Sequence, residues 1–411
     1  MNTHMDRSRL NIGVYILQRY ARSEKHIREI AECGIDFVIG MNASDTASLD
    51  LFAKYGLGAI VNDAGPGWWG GNGENAGKMH LTNTLDRYEA AAASYTDHPA
   101  IWSIDVGDEP SALDFPHYGK VIARTNDLFP RQFIYLNLYP NYASVAENTD
   151  SEKISQLGTP TYEEYIRRYC QYVPSDYICY DYYIYAAGLP KAYENLRIVS
   201  DACLSTGRSM WIVLQVNSNR PDRWITENQL RFQAYSAMAF GAENITWACY
   251  TAGWWHNQVL DKDGEKTEQY EKLKKVNREI HTIAEEYMKF RRTDTHFVGF
   301  ADRRDLSAWG GSAPLESLNT GVFFDVQAAN GDNLVIGEMT SRSGDGSRAL
   351  MICAADDPMD EQPKKVEIRF RAPGRQICAY GGSGKLPVHS LSDSIYSITV
   401  RSSDGVLITA R

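Results

Sequence analysis

Two adjacent acids, Asp108 and Glu109, end the apolar segment IWSIDVGDEP and stand immediately before Pro110. A carboxyl group held at the end of a buried strand is partly removed from water, which raises its pKa and suits it to donate a proton near neutral pH. Hydrolysis of a glycosidic bond needs such a donor beside the departing oxygen. The simpler interpretation is that this tripeptide only caps the next helix. We favour the chemical interpretation.

Other polar and aromatic residues follow the remaining short apolar runs of the first 290 residues. The candidates for substrate binding are Asp63, Trp68, Trp69, Asp108, Asn137, Tyr139, Tyr183, Asn217, Tyr250, Trp254 and Trp255. Amides and carboxylates bond to sugar hydroxyls, whereas indole and phenol faces pack against the C–H face of a sugar ring. The two tryptophan pairs lie beside glycine in predicted loops, which favours ligand stacking over core filling. A phosphate ligand would need clustered Lys and Arg, which these positions lack.

The elements that must position these residues follow a repeated strand–helix pattern. Short β-branched and aromatic runs alternate with longer helical patterns. The predicted strands are Asn11–Leu17, Asp36–Met41, Gly58–Val61, Ile101–Val106, Gln132–Leu138, Tyr177–Tyr182, Met210–Val216 and Asn244–Cys249. Eight such units predict a (β/α)₈ barrel, in which catalytic residues lie at the carboxyl ends of the strands. The rival doubly wound sheet predicts a glycine-rich loop after the first strand, and LQRYARSEKH contains no glycine.

The character of the sequence changes near His296. Short alternating strands such as VFFDVQA and KVEIRFR follow, separated by Gly, Asp and Ser turns. We therefore predict a barrel domain over residues 1–292 and a C-terminal β-sandwich domain over residues 293–411, with residues 291–295 as the junction.

The tetrapeptide GDEP at the end of the fourth strand resembles the Asn-Glu-Pro signature of the large clan of (β/α)₈ retaining glycoside hydrolases. The order of barrel and β-domain is similar to that of the β-galactosidase-like members. The resemblance implies that Glu109 is the acid/base and that Asp108 replaces the Asn that holds a sugar hydroxyl. It also implies a Glu nucleophile at the end of the seventh strand, where this chain has Gln215.

An amide at position 215 cannot form a glycosyl-enzyme ester. Another carboxylate acts instead, or the protein binds without cleaving, or a Glu has been replaced in an engineered variant. Asp181 is the preferred substitute, ahead of Asp63 and Asp105, although it is equally suited to bind a hydroxyl. We expect Gln215 to face Glu109 across the pocket.

Composition narrows the class of ligand. The formal charge of −10, from 52 acidic and 42 basic residues, argues against nucleic acid and anionic membranes as partners. No apolar run reaches the roughly 18 to 20 residues that insert across a bilayer. No signal peptide is visible, which as written indicates a cytoplasmic protein, and a trimmed N-terminus would allow secretion. The seven cysteines are interpreted as reduced core residues, and no metal or cofactor motif is recognised.

These observations leave two hypotheses in front. The first is a glycoside hydrolase acting on an oligosaccharide or simple glycoside, with Glu109 as general acid and Asp181 as the second carboxylate. The second is a carbohydrate-binding pseudoenzyme in which Gln215 has ended catalysis. A lyase or isomerase is disfavoured because no lysine or metal cluster marks a strand end. The sequence leaves the sugar, the linkage and the oligomeric state open.

Overall fold

The computed structural model of the chain describes residues 4–65, 73–95, 98–145, 155–300, 313–355 and 362–411. Eight parallel strands close into a barrel in chain order, and β8 pairs back with β1. The strands are β1 (Asn11–Tyr15), β2 (Phe37–Met41), β3 (Gly58–Val61), β4 (Ile101–Asp108), β5 (Phe133–Leu138), β6 (Tyr177–Tyr182), β7 (Ser209–Gln215) and β8 (Ala242–Ala248). The predicted (β/α)₈ barrel is confirmed.

Helices connect the strands around the outside of the barrel. They are α1 (Glu24–Glu32), α2 (Thr46–Tyr55), α3 (Leu85–Ser94), α4 (Phe115–Leu128), α5 (Tyr162–Tyr172), α6 (Ile184–Ala187), α7 (Leu189–Thr206), α8 (Glu227–Ala239) and α9 (Glu268–Tyr287). Local sequence sets several ends: Asp45 accepts from the Ser48 N–H at the start of α2, and Thr226 forms a capping box with Gln229 at the start of α8. These ends fix the lengths of the loops at the barrel mouth.

Inward-facing side chains fill the barrel below its mouth. Tyr177 and Trp211 stack there with ring centroids 4.2 Å apart. Glycine is required on two strands, because a Cβ on Gly13 would lie 2.3 Å from the Phe37 ring and one on Gly58 would lie 2.1 Å from Trp102. This packed layer forms the floor of the space above it.

Two antiparallel sheets follow the barrel. One has the order β15-β14-β18-β12-β11-β9 and the other β10-β13-β17-β16. Their strands are β9 (Phe290–Val298), β10 (Phe324–Ala328), β11 (Leu334–Ser341), β12 (Arg348–Ala354), β13 (Lys365–Arg371), β14 (Ile377–Gly381), β15 (Gly384–Leu386), β16 (His389–Ser392), β17 (Ile395–Arg401) and β18 (Gly405–Ala410). A separate apolar core lies between the sheets, which confirms the C-terminal β-sandwich.

The barrel and the sandwich meet around α8. This helix is buried along almost its whole length, because it contacts barrel strands as well as β11, β12 and β18. The approach is close: a Cβ on Gly337 would lie 2.1 Å from the carbonyl oxygen of Ala239. Arg231 of α8 donates to Glu279 of α9 at 2.6 and 2.9 Å, and Asp404 of the sandwich lies 3.8 Å from the same guanidinium.

The junction predicted at residues 291–295 lies within a strand of the larger sandwich sheet. These residues belong to β9, which pairs with β11. The sequence RRTDTH is not recognised as a strand because polar residues occupy both its exposed and its buried positions. Buried Arg292, for example, is neutralised by Asp201 at 2.8 Å. The boundary expected between residues 292 and 293 falls inside this strand.

Candidate active site

A cavity of about 470 Å³ lies at the carboxyl ends of the barrel strands. The residues that line it are Tyr15, Asp108, Glu109, Asn137, Asp181, Tyr183, Val213 and Trp254. The sequence predicts all of these as site residues except Tyr15 and Val213. This end of a (β/α)₈ barrel is where such folds carry their active sites.

Strand β4 delivers two carboxyl groups to the cavity. It runs two residues further than predicted, to Asp108, and its register against β5 shifts between Asp105 and Gly107. Glu109 follows with φ of +48°, a left-handed conformation that is strained for a residue with a side chain. Its N–H donates to the carbonyl of Asn137 at 2.9 Å. The backbone at this turn therefore holds Glu109 at the cavity wall.

Asn137, from β5, connects the acids of β4 and β6. Its Nδ2 donates to Asp108 Oδ1 at 3.0 Å and to Asp181 Oδ1 at 2.9 Å. Tyr15 donates to the other oxygen of Asp108 at 3.3 Å, and Tyr142 donates to the other oxygen of Asp181 at 3.4 Å. Each carboxyl group is thus held from both sides by neutral donors.

The environment of Asp181 favours its protonated form. Burial raises the pKa of Asp181 to about 7, and the neighbouring Asp108 raises it as well. Hydrogen bonds from Asn137 and from the Glu109 carboxyl act in the opposite direction. A hydrogen bond between two carboxyl groups requires a proton on one of them. Burial therefore favours a proton shared between Glu109 and Asp181.

Two further acids of β4 experience the same desolvation. Burial raises the pKa of Asp108, while its hydrogen bonds from Asn137 and Tyr15 lower it. Burial raises the pKa of Asp105 well above its ordinary value, and the charge of Asp108 adds to that effect. Asp105 accepts from the Gly107 N–H at 3.0 Å. It supports the bulge of β4 and is not among the residues that line the cavity.

Aromatic rings form one wall of the cavity. Trp254 packs against Tyr15 and Tyr183, with centroids 5.7 and 6.1 Å apart. Trp255 does not line the cavity but packs on Tyr183 at 5.1 Å. The other predicted pair, Trp68 and Trp69, lies outside the described residues. Of the predicted stacking tryptophans among the described residues, Trp254 thus shares a single cavity with Glu109.

The expectation that Gln215 faces Glu109 is wrong. Its side chain is fully buried and is not part of the cavity lining. Its Nε2 donates to the carbonyl of Asn217 at 3.0 Å, and its Oε1 accepts from the Tyr185 N–H at 3.0 Å. Asn217 is engaged in the same way, with Trp254 O at 2.6 Å and the Cys249 N–H at 3.1 Å. Both amides hold the loops above β7 and β8.

Three more predicted binding residues lie outside the cavity. Exposed Asp63 accepts from the Tyr95 hydroxyl at 2.7 Å and from the Ala43 N–H at 3.1 Å, so it ties two loops together. Tyr139 is buried beside Tyr165 at 6.5 Å. Tyr250 is buried in the main core and does not line the cavity. Sequence position alone does not separate these residues from those that line the cavity.

The sequence analysis misses Tyr15, Val213 and Tyr142. Tyr15 is the last residue of β1 and lies two residues before the predicted strand end at Leu17, and Val213 lies two residues before the end of β7. The period of two along β7 offers a signal for Val213, since Trp211 and Val213 lie in the same barrel-interior cluster. Tyr142 lies four residues beyond β5, where only a loop is expected.

No protein-family model and no curated protein sequence matches the chain. Solved structures do match its fold. The cycloisomaltooligosaccharide glucanotransferase of a Paenibacillus species aligns with 98% of this chain and 85% of its own, at 9% identity and a TM-score of 0.52. Xylanase 10B of Thermotoga maritima aligns with 66% of this chain and 95% of its own, at 10% identity and a TM-score of 0.44. The family 5 mannosidase of Rhizomucor miehei aligns with 70% and 94%, at 12% identity and a TM-score of 0.43.

At these identities the likeness supports the fold alone. The first match extends over both the barrel and the sandwich. The resemblance to β-galactosidase-like enzymes and the roles assigned to individual residues stay predictions.

Among the described residues, no group of three His, Cys, Asp or Glu side chains is arranged to hold a metal ion. In the same part of the chain, no helix has the length and apolar character needed to cross a membrane.

Proposed function

We propose that the chain is a glycoside hydrolase acting on a neutral carbohydrate, with the Glu109–Asp181 carboxyl pair as its proton donor. The observation that carries the proposal is the convergence of the Asp108, Glu109 and Asp181 carboxyl groups in the cavity at the barrel mouth, where burial raises the pKa of Asp181 to about 7. A carboxylic acid that keeps its proton at neutral pH can protonate a departing glycosidic oxygen. After the leaving group departs, the same pair can accept a proton from the attacking water molecule.

The lining of the cavity favours a neutral sugar. Among the described residues that line it there is no Lys, Arg or His side chain, so a phosphorylated or carboxylated ligand would meet uncompensated negative charge. Carboxyl and amide oxygens offer partners for hydroxyl groups, and the faces of Trp254 and Tyr183 suit the C–H face of a pyranose.

The test is hydrolysis of a panel of 4-nitrophenyl glycosides, covering both anomers of neutral hexoses, 6-deoxyhexoses and pentoses. We expect at least one of them to be cleaved. We also expect kcat to fall as the pH rises through about 7, because the carboxyl pair loses its proton there. A panel without any cleavage contradicts the proposal.

Two variants test whether both acids of the pair are needed for proton donation. Glu109→Gln and Asp181→Asn should each reduce kcat/KM by about 10²- to 10⁴-fold, as expected for loss of a general acid. Asp63→Asn is the matched control, because Asp63 is an acid at the same end of the barrel that does not line the cavity. It should change kcat/KM by less than about threefold. Binding of oligosaccharides without cleavage would favour the carbohydrate-binding pseudoenzyme instead.

A further inference from the structure

The structure points to a nucleophile different from the one expected on strand seven. We propose that Asp108 attacks the anomeric carbon, while the proton comes from the Glu109–Asp181 pair, so that the reaction retains the anomeric configuration. This inference rests on the proposed function and deepens it. The resemblance of the GDEP motif gave Asp108 only the role of holding a hydroxyl.

The first argument is the separation of Asp108 from Asp181. Both Oδ1 atoms accept from the single Nδ2 of Asn137, at 3.0 and 2.9 Å, which places them no more than about 6 Å apart. Retaining glycosidases hold their two carboxyl groups about 5 to 5.5 Å apart, and inverting ones about 6.5 to 9.5 Å apart. The bridge through Asn137 is compatible with the retaining arrangement and too short for a water molecule to attack between the two groups.

The second argument is elimination among the other acids of the site. Glu109 is hydrogen-bonded to Asp181 and belongs to the donor side of the pair. Asp105 does not line the cavity and is bonded to the Gly107 N–H. Gln215 has no carboxylate, and both ends of its amide are used by main-chain groups. Asp108 is the remaining carboxyl group among the described residues that line the cavity.

The third argument is the way Asp108 is held. Asn137 donates to Oδ1 and Tyr15 donates to Oδ2. Two neutral donors stabilise the ionised form and fix the plane of the carboxylate, without a cation that would neutralise it. A nucleophilic carboxylate needs that combination of charge and orientation.

The reaction balances with groups already in the cavity. An Asp108 oxygen forms a bond to the anomeric carbon as the bond from that carbon to the leaving oxygen breaks, and the donor pair transfers its proton to that oxygen. Water then attacks the anomeric carbon of the ester and gives a proton back to the pair, and the Asp108 carboxylate is released. No oxidant, reductant or metal is consumed.

Covalent labelling of the wild-type protein is the direct test. The probe is the 2-deoxy-2-fluoro glycosyl fluoride of the sugar that is cleaved fastest in the panel. We expect a stoichiometric mass increase of one glycosyl group, located on the peptide that contains Asp108. A label on Glu109, Asp105 or Asp181, or an inverted product with no label, overturns the inference and leaves the proposed hydrolase in place.

Rescue by azide adds a readout that a structural role would not produce. Asp108→Ala should lose at least about 10³-fold in kcat. With sodium azide and an activated aryl glycoside, it should form a glycosyl azide of inverted configuration, because azide enters the space left by the carboxylate. Asp181→Ala should give the azide of retained configuration.

An Asp108→Ala protein that is folded and still hydrolyses at the wild-type rate contradicts the inference. If the wild-type protein cleaves nothing in the panel, the proposed function fails, and this inference falls with it.

Discussion

The ends of β4 and β7 occupy equivalent positions at the mouth of one barrel, yet their polar side chains have different roles. At the end of β4, Asp108 and Glu109 line the cavity, and their hydrogen bonds run to other side chains of the site. At the end of β7, Gln215 and Asn217 are completely buried, and their amides bond to main-chain groups. A polar residue at a strand end is therefore free for chemistry only when loop architecture does not already use its hydrogen bonds.

The two strand ends also differ in the charge of their side chains, since β4 carries ionisable carboxyl groups and β7 carries neutral amides. Four acids converge near the end of β4, and burial raises the pKa of Asp105, Asp108 and Asp181. Desolvated carboxyl groups lower the stability of the fold, but their raised pKa allows them to donate protons near neutral pH. Such a loss of stability at a functional site is common. The amides of β7 carry no charge and stabilise the loops beside it.

We expect the largest effect on stability from placing a carboxylate at the end of β7, as at the end of β4. Gln215→Glu should lower the free energy of unfolding by about 3 to 5 kcal/mol, because a buried carboxylate would face the carbonyl oxygen of Asn217 where Nε2 now donates. Hydrolysis should not increase, since position 215 does not line the cavity. Urea denaturation at pH 7 measures the change.

Gln215→Met is the matched control for that experiment. It removes the same hydrogen bonds without adding charge, so the difference between the two variants isolates the cost of the carboxylate. A Gln215→Glu protein that is as stable as wild type and gains hydrolytic activity would show that the two strand ends are equivalent after all.

The next effect is the dependence of stability on pH. The folded-state pKa of Asp181 is about 7, above its ordinary value of 3.8. The protonated group therefore contributes stability that is complete below about pH 4 and is lost as the pH rises through 7. We expect wild-type protein to lose about 2 to 4 kcal/mol between pH 5 and pH 8 relative to Asp181→Asn. Parallel pH profiles of the two proteins in urea would refute this assignment.

The smallest effect concerns the aromatic wall. Trp254→Ala should raise KM about tenfold with a smaller change in kcat, because the indole face contributes about 1 to 1.5 kcal/mol of stacking to bound sugar. Trp224→Ala is the control, since that indole lies outside the cavity and contacts Lys272 at 5.5 Å. Equal KM values for the two variants would remove Trp254 from the binding surface.

Much of this architecture follows from the sequence. Short β-branched and aromatic runs, separated by longer helical patterns, identify all eight barrel strands to within two residues at every end. Barrel geometry then brings residues from distant strand ends together, which is why Glu109, Asp181, Asn137 and Trp254 are correctly expected in one cavity. β9 escapes detection because its polar residues pair with groups elsewhere in the fold.

The predictions that fail share one physical cause. Gln215, Asn217 and Tyr250 have the chemistry of ligand-binding residues, but main-chain groups or core packing use them. Which partner a side chain finds depends on loop conformation, and local sequence does not encode it. The contribution of Trp68 and Trp69 stays a prediction.

The position of α8 links the two halves of the molecule thermodynamically. One face of α8 packs on the barrel and the other packs on β11, β12 and β18. Removal of either half would therefore expose a buried face of this helix to water. Arg231 adds a buried charge whose acidic neighbours come from both halves. We therefore expect the chain to melt in a single cooperative transition, with the sandwich acting as a structural part of the barrel domain.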